Sequence, residues 1–305
     1  MSEAGAPRHD PVSIGDVATP QFARLPDPAA VFLNRAGRLR ELAQTHELGP
    51  YLRFLGDLAE AQHRIQDGLP VPDVPATEDR ERARQFNMPP LDRSRFVIEP
   101  AFEMTLDRLF AQAAGIDMPA AAREALAAAQ SADMPARDAM VRAVLADAIP
   151  VESLASHAFV AAALQVHFAR LAAQLEAARL VPVGDAVCPV CGSPSVASVI
   201  VDWQHAPNTR FCVCSLCETW WHYVRIRCTV CGTTKGIGYK EIDGLPSNVQ
   251  AETCEECHSY VKILHQHKNP ALEPVADDVA TLGLDLLVHE AGYRRGAFNP
   301  FLLGY

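Results

Sequence analysis

The first 187 residues of this 305-residue chain contain no cysteine. All nine cysteines lie between Cys188 and Cys257, too clustered for a disulfide scaffold in a chain of this length. A cationic surplus is missing as well. The formal net charge is -10, so the chain lacks the basic face that nucleic acid or anionic lipid would select. The opening MSEAGAPRHDPVSIG has no charged start followed by an apolar stretch, which argues against a secretory leader. No run approaches the ~18 uninterrupted apolar residues of a membrane span; the run from Ala158 to Leu164 stops at Gln165. Phosphate loops, GxSxG elbows and HExxH motifs are absent, and no acid–base pair stands out. These absences predict a soluble protein that stays where it is made, with no nucleic-acid partner and no membrane insertion.

What is present divides the chain. Residues 1–27 are rich in Pro, Gly and Ala and read as a flexible arm. Asp27-Pro28 is a helix start, with Asp as cap and Pro in the first turn. A helical domain over 28–184 follows. Leu52, Leu55, Leu58, Ala59, Gln62 and Ile65 keep helical spacing in a second helix over 50–67. Six prolines between Pro70 and Pro100 mark a long connection. Helical patterns return over 101–114, 119–131 and 133–148. The longest runs from a cap at Ser153 to about Arg179, with Leu164, Phe168, Leu171 and Leu175 as its buried stripe. After Pro182 the composition turns to Cys, Val, Thr, Tyr, Trp and Gly, and SVASVIVDW and WHYVRIR read as strands. A helix over 277–291 and an apolar tail close the chain.

The cysteines form four C-x-x-C pairs at 188/191, 214/217, 228/231 and 254/257. Adding 40 to each of the first four cysteine positions lands on one of the last four, and Gly192 maps onto Gly232. The region is therefore a tandem duplication. Two residues between cysteines let one tight turn aim both sulfurs at a point, and the following glycine tolerates a positive φ. Two such turns facing each other make a tetrahedral S₄ site, suited to zinc or a single iron. Duplication favours closing Cys188, Cys191, Cys214 and Cys217 as one site and Cys228, Cys231, Cys254 and Cys257 as the other. A cross-braced arrangement of first with third and second with fourth is the alternative. Each module spans 30 residues from first to last cysteine, below the ~40 at which a domain can usually fold without a staple. A closed S₄ site offers no open position for Lewis-acid catalysis.

The expected architecture is α+β. An N-terminal all-α helical domain precedes two rubredoxin- or zinc-ribbon-like metal modules, 185–226 and 227–270, and a C-terminal helix and tail over 271–305. Cys212 would share a strand face with Cys214 as a buried thiol or a spare ligand. His205, His222, His258, His265 and His267 could ligate metal, but eight cysteines already complete the two sites. Trp221, Tyr223, Arg225 and Arg227 would share one side of a strand, an aromatic and arginine face of the kind favoured at protein interfaces. Residues 185–270 carry seven Lys/Arg and eight Asp/Glu, which disfavours a nucleic-acid-binding ribbon.

The segments CPVCGSPSVAS, CSLCETWWHYVRIRCTVCG, CEECHSYVKIL and VADDVATLGLDLLVHEAGYRRGAFNPFLL resemble the formate dehydrogenase accessory protein family, FdhE. The echo HAFVAAALQVHFARLAA in the long helix is weaker. The resemblance implies a cytoplasmic, non-catalytic protein that contacts the catalytic subunit of respiratory formate dehydrogenase during maturation, before twin-arginine export. It also implies rubredoxin-type iron at the eight paired cysteines. A rubredoxin-like one-electron carrier is the alternative reading.

Overall fold

A computed structural model describes residues 20–203, 206–244 and 247–302. Most of the flexible-arm expectation, and His205, fall outside these residues. The part of the arm that is described is not loose. Ala23–Arg24 forms strand β1, which pairs antiparallel with a later strand at Trp220 and Trp221.

Helix α1 (Pro28–Leu42) starts where the sequence predicts, with the Asp27 carboxylate accepting from Ala29 N at 3.0 Å. Then come α2 (Gly49–Arg64), α3 (Thr77–Gln85), α4 (Pro100–Ala113), α5 (Ala120–Ser131), α6 (Met134–Leu145) and α7 (Leu154–Ala172). Helix α3 interrupts the expected connection. Its sequence TEDRERARQ has no apolar stripe, so periodicity could not reveal it, and none of its residues is buried. Helix α7 is the axis of the domain. It is buried on every face from His157 to Phe168, as an all-round apolar helix must be, and α4, α5, α6 and α2 pack around it. Alanines at 158, 161, 162 and 163 let those neighbours approach closely.

Strands β2 (Ser195–Trp203), β3 (Ala206–Cys214) and β4 (Trp220–His222) belong to the first module, and β5 (Ile237–Lys240), β6 (Val249–Cys254) and β7 (Ser259–His265) to the second. The predicted strand over 221–227 is shorter than its pattern suggested. The strand ends at His222, and one further in-register bond, Tyr223 N to Arg210 O (3.1 Å), closes its ladder with β3. The C-terminal helix is two helices, α8 (Pro274–Ala280) and α9 (Leu282–Glu290), broken at Thr281, whose hydroxyl bonds back to Asp277 O. Strand β8 (Arg294–Arg295) completes the set.

The eight strands among the described residues form one sheet in the order β1-β4-β3-β2-β7-β6-β5, with β8 also on β7. The 40-residue offset carries β3 onto β6 and β4 onto β7. The modules therefore stand head to tail. The edge strand of the second module, β7, runs parallel to β2 of the first through Ser198–Ile200 and Ile263–His265. The equivalent edge of the first module, β4, is covered by β1.

Two candidate metal centres

Each module brings its four cysteines together. The sulfurs of Cys188, Cys191, Cys214 and Cys217 all lie within 4.8 Å of one another, and so do those of Cys228, Cys231, Cys254 and Cys257. Each module thus closes its own cluster, and the sulfurs do not group in the cross-braced way. All nine cysteines are free thiols.

The turns explain the convergence. In the first, Cys188 N donates to Ser193 O (2.8 Å) and Gly192 N to Cys188 O (2.9 Å). The copy repeats this, with Cys228 N to Thr233 O (2.8 Å) and Gly232 N to Cys228 O (3.1 Å). Gly192 and Gly232 have φ of 76° and 73°. The turn at 214–217 and its copy at 254–257 end instead on Glu218 and His258, with φ of 62° and 50°. Side chains are rare in this region, so the turn imposes the conformation in all four places. Backbone N–H groups point at sulfur in both modules: Val190 N to Cys188 Sγ (3.4 Å), Leu216 N to Cys214 Sγ (3.3 Å) and Val230 N to Cys228 Sγ (3.3 Å).

The donor sets fit a thiolate-bound metal. A tetrahedral ion with bonds of ~2.3 Å needs sulfurs about 3.8 Å apart. Cys228–Cys257 and Cys231–Cys254 are each at 3.8 Å, and Cys188–Cys217 and Cys191–Cys214 at 3.5 and 3.4 Å. Burial opposes ionisation of Cys191, Cys214 and Cys217. Cys191 is nevertheless held below the usual thiol range by its side-chain hydrogen bonds with Cys188, Cys214, Cys217 and Ser193, while Cys214 and Cys217 are pushed well up. Four thiolates at this spacing need a cation among them. Both zinc and iron meet these distances.

The helical domain grips the first cluster through residues the sequence did not single out. Leu91 N donates to Val190 O (2.9 Å) and Arg93 N to Cys191 O (3.1 Å), so the proline-rich segment straps the first turn. Buried Arg35 of α1 reaches Glu218 (2.8 Å) and Glu273 (3.0 Å). Burial raises the Glu218 carboxyl to about 7, against the pull of Arg35. Gln165 Nε2 donates to Ser215 O (2.9 Å), and Gln62 donates to Gln165 (3.1 Å). The signal was in the sequence: Gln62 sits within an apolar stripe and Gln165 ends an apolar run.

The other predicted residues separate. Cys212 is fully buried, 3.7 Å from Ser198 Oγ, with burial pushing its thiol up to about 11, and it belongs to neither cluster. His222, His258, His265 and His267 belong to neither cluster. The four residues expected on one interface face are split, because the strand ends before that face can form. Trp221 is 3% exposed and Tyr223 8%, with Tyr223 Oη donating to Cys228 O at 3.0 Å. Arg225 is exposed, between Val224 (55%) and Ile226 (62%). Arg227 is half-buried and tied to Gly232 O and Asp185. Arg210 holds this connector from beneath, donating to the carbonyls of Arg225 and Arg227 and to Ser198 and Glu252.

Comparison with known proteins matches the whole of this architecture. Three family models match in succession: "FdhE, N-terminal" over residues 20–185, "FdhE, central domain" over 187–225 and "FdhE, C-terminal domain" over 226–302. A protein FdhE homolog of Rhizobium meliloti is 46% identical, covering 97% of each chain. The FdhE protein of Salmonella choleraesuis is 34% identical, covering 89% of this chain and 88% of that one. The crystal structure of the FdhE protein from Pseudomonas aeruginosa superposes with a TM-score of 0.83 at 33% identity, covering 93% of this chain and 99% of that chain.

Proposed function

The chain belongs to the FdhE family, and from that membership we propose that it is an accessory factor for the maturation of respiratory formate dehydrogenase. It acts in the cytoplasm, without chemistry of its own, by binding the catalytic subunit through its metal-containing half. The observation that carries this reading is the pair of four-thiol clusters in a chain that matches FdhE relatives along nearly its whole length. Cys188, Cys191, Cys214 and Cys217 hold one metal ion, and Cys228, Cys231, Cys254 and Cys257 the other. When bound, the metal cross-links turns that are too short to hold each other by apolar burial. The protein supplies the approach for a partner: Arg225 stands exposed between Val224 and Ile226, while Trp221 and Tyr223 support the connector from within.

Pull-down of the formate dehydrogenase catalytic subunit by the tagged chain tests the reading. Capture is expected with the metal-loaded protein and is expected to fall when Arg225, Val224 and Ile226 are replaced together by Ser. Undiminished capture by metal-free protein would overturn the role given to the metal.

The exposure of Cys231 favours one second reading, a rubredoxin-type electron carrier, since a ligand at the surface shortens the electron's path from a redox partner. Iron content with a red, reversibly bleached protein supports it; a colourless zinc protein eliminates it.

A further inference from the structure

The two clusters share one ligand pattern and differ in everything around it. In the first, Cys188, Cys191, Cys214 and Cys217 are all at 0% exposure. In the second, Cys228 (4%) and Cys254 (2%) are buried, Cys257 is half-buried and Cys231 is exposed. Three further contrasts point the same way. Residues 91–93 strap the first turn through Val190 O and Cys191 O, and Pro89 lies 3.4 Å from where a Cβ on Gly192 would sit. At the equivalent Gly232 the neighbours are the polar ends of Asp185 and Arg227, both reaching solvent. In the first cluster Cys191 Sγ is 3.3 Å from the Ser193 hydroxyl. The residue at the duplicated position, Thr233, instead accepts from Lys235 N at its hydroxyl (3.2 Å). Finally Val230, beside Cys231, is 37% exposed, whereas its counterpart Val190 is fully buried.

We propose that the second cluster is an exchange site, at which an incoming soft ligand, a thiolate, takes the place of Cys231, while the first cluster is a permanent staple. The inference rests on the reading that both clusters hold metal. Exchange at a closed four-thiolate centre needs an approach for the newcomer and a resident ligand free to swing out. Among the eight ligands Cys231 alone is exposed. One thiolate binds and one leaves, so neither oxidation state nor net charge changes. Cys228, Cys254 and Cys257 keep the ion tethered during the swap. The partner implied is one that presents a cysteine thiolate, so the site can form a mixed-ligand contact or pass its ion on.

The test uses the full chain loaded with zinc. Total zinc is measured first, and two equivalents are expected. Release to the chromophoric chelator 4-(2-pyridylazo)resorcinol, with glutathione as the incoming thiolate, is then followed. One equivalent should leave at least roughly tenfold faster than the other, and glutathione should accelerate only the fast phase. In parallel, limited alkylation of the loaded chain with iodoacetamide, mapped by peptide mass, should modify Cys231 before any cysteine of the first cluster. Fewer than two equivalents at the outset would overturn the underlying metal reading. Two equivalents released at one rate, or alkylation that reaches Cys188–Cys217 as fast as Cys231, would overturn the exchange site alone.

Discussion

The duplicated modules began from one pattern and are attached to the protein in two different ways. The first is welded by apolar packing. Val190, Val196, Ala197, Val199, Val213, Leu216, Trp221 and its four cysteines belong to the same continuous core as α1, α2, α4 and α7. The second has a small core of its own, made of Ala251, Tyr260, Leu284, Val288 and Tyr293. Charge clamps it down. Lys262 lies 2.5 Å from Asp285 and 3.4 Å from Asp278, Arg295 reaches both carboxylates, and Tyr260 and Asn299 donate to them. Arg210 of the first module ties to Glu252 of the second at 2.8 Å, both buried. The lesson is that duplication copies the ligand spacing, while the neighbours decide how tightly each copy is held.

Serine in place of one ligand should separate the two most sharply. A structural thiolate site contributes about 10–16 kcal/mol in small zinc peptides, as much as the whole stability of a typical domain. In the first module that energy is coupled to the main core. Cys191→Ser should therefore abolish cooperative unfolding of the helical domain and leave the chain largely insoluble. Cys231→Ser should keep a cooperative thermal transition and lose at most one metal equivalent. Equal losses in thermal scans and metal content would show that the modules are energetically alike.

The ionic clamp gives the next effect. Lys262→Met leaves Asp278 and Asp285 with Arg295 as the remaining cation of the clamp in a dry site, and breaking a buried pair costs about 3–5 kcal/mol. Adding Asp285→Leu removes the surplus charge, and most of that loss should return in urea unfolding. If the single change costs under about 1 kcal/mol, apolar contact rather than charge holds the second module.

Acid should strike the helical domain before the clamp. His167 is fully buried among Phe96, Phe102 and Phe168, near Glu99, and desolvation, aided by Arg170, lowers it to about 4. The unfolded chain takes up a proton near 6.5 and the folded one resists until about 4. The His167 contribution is thus complete above 6.5 and falls as pH drops through this window, by about 2 kcal/mol at pH 5, while Glu218, raised to about 7, contributes in the opposite sense. Asp278 behaves oppositely to a lone buried acid. Burial would raise it, but Arg295 and Lys262 bring it below the usual carboxylate range, so the clamp survives to lower pH. Urea unfolding of His167→Phe should lose the slope between pH 7 and 5; an unchanged slope would assign it elsewhere.

The ligand clusters were legible because they obey a local rule. Two residues between cysteines, repeated at an offset of 40, state which sulfurs can meet, and apolar periodicity stated which helices bury which stripe. What was not legible depends on partners far away in sequence. The burial of Trp221 follows from β1, two residues long, whose Ala23 pairs with it from 198 positions earlier. Helix α3 has no apolar face to read. The exposure of Cys231 against the burial of Cys191 depends on a strap, residues 91–93, that crosses one turn and not its copy. Charge pairs such as Arg35–Glu218 and Lys262–Asp285 span 183 and 23 positions, and no spacing rule connects them.

The smallest expected effect concerns that short strand. Asp27 caps α1 and Asp133 caps α6 in the same way, each carboxylate accepting from a backbone N–H at 3.0 Å. Replacing either by Ala should cost about 1 kcal/mol, so thermal scans of the two variants should look alike. Their local consequences should not. Asp27 fixes the chain just after β1, where Phe22 O accepts from His222 N at 2.7 Å and covers the open edge of the first module. Frayed entry into α1 loosens that contact, whereas α6 packs on α7. Hydrogen exchange at His222 N should therefore quicken in Asp27→Ala and stay unchanged in Asp133→Ala. Equal protection in both would mean that β1 is held by its own pairing, independent of the helix that follows.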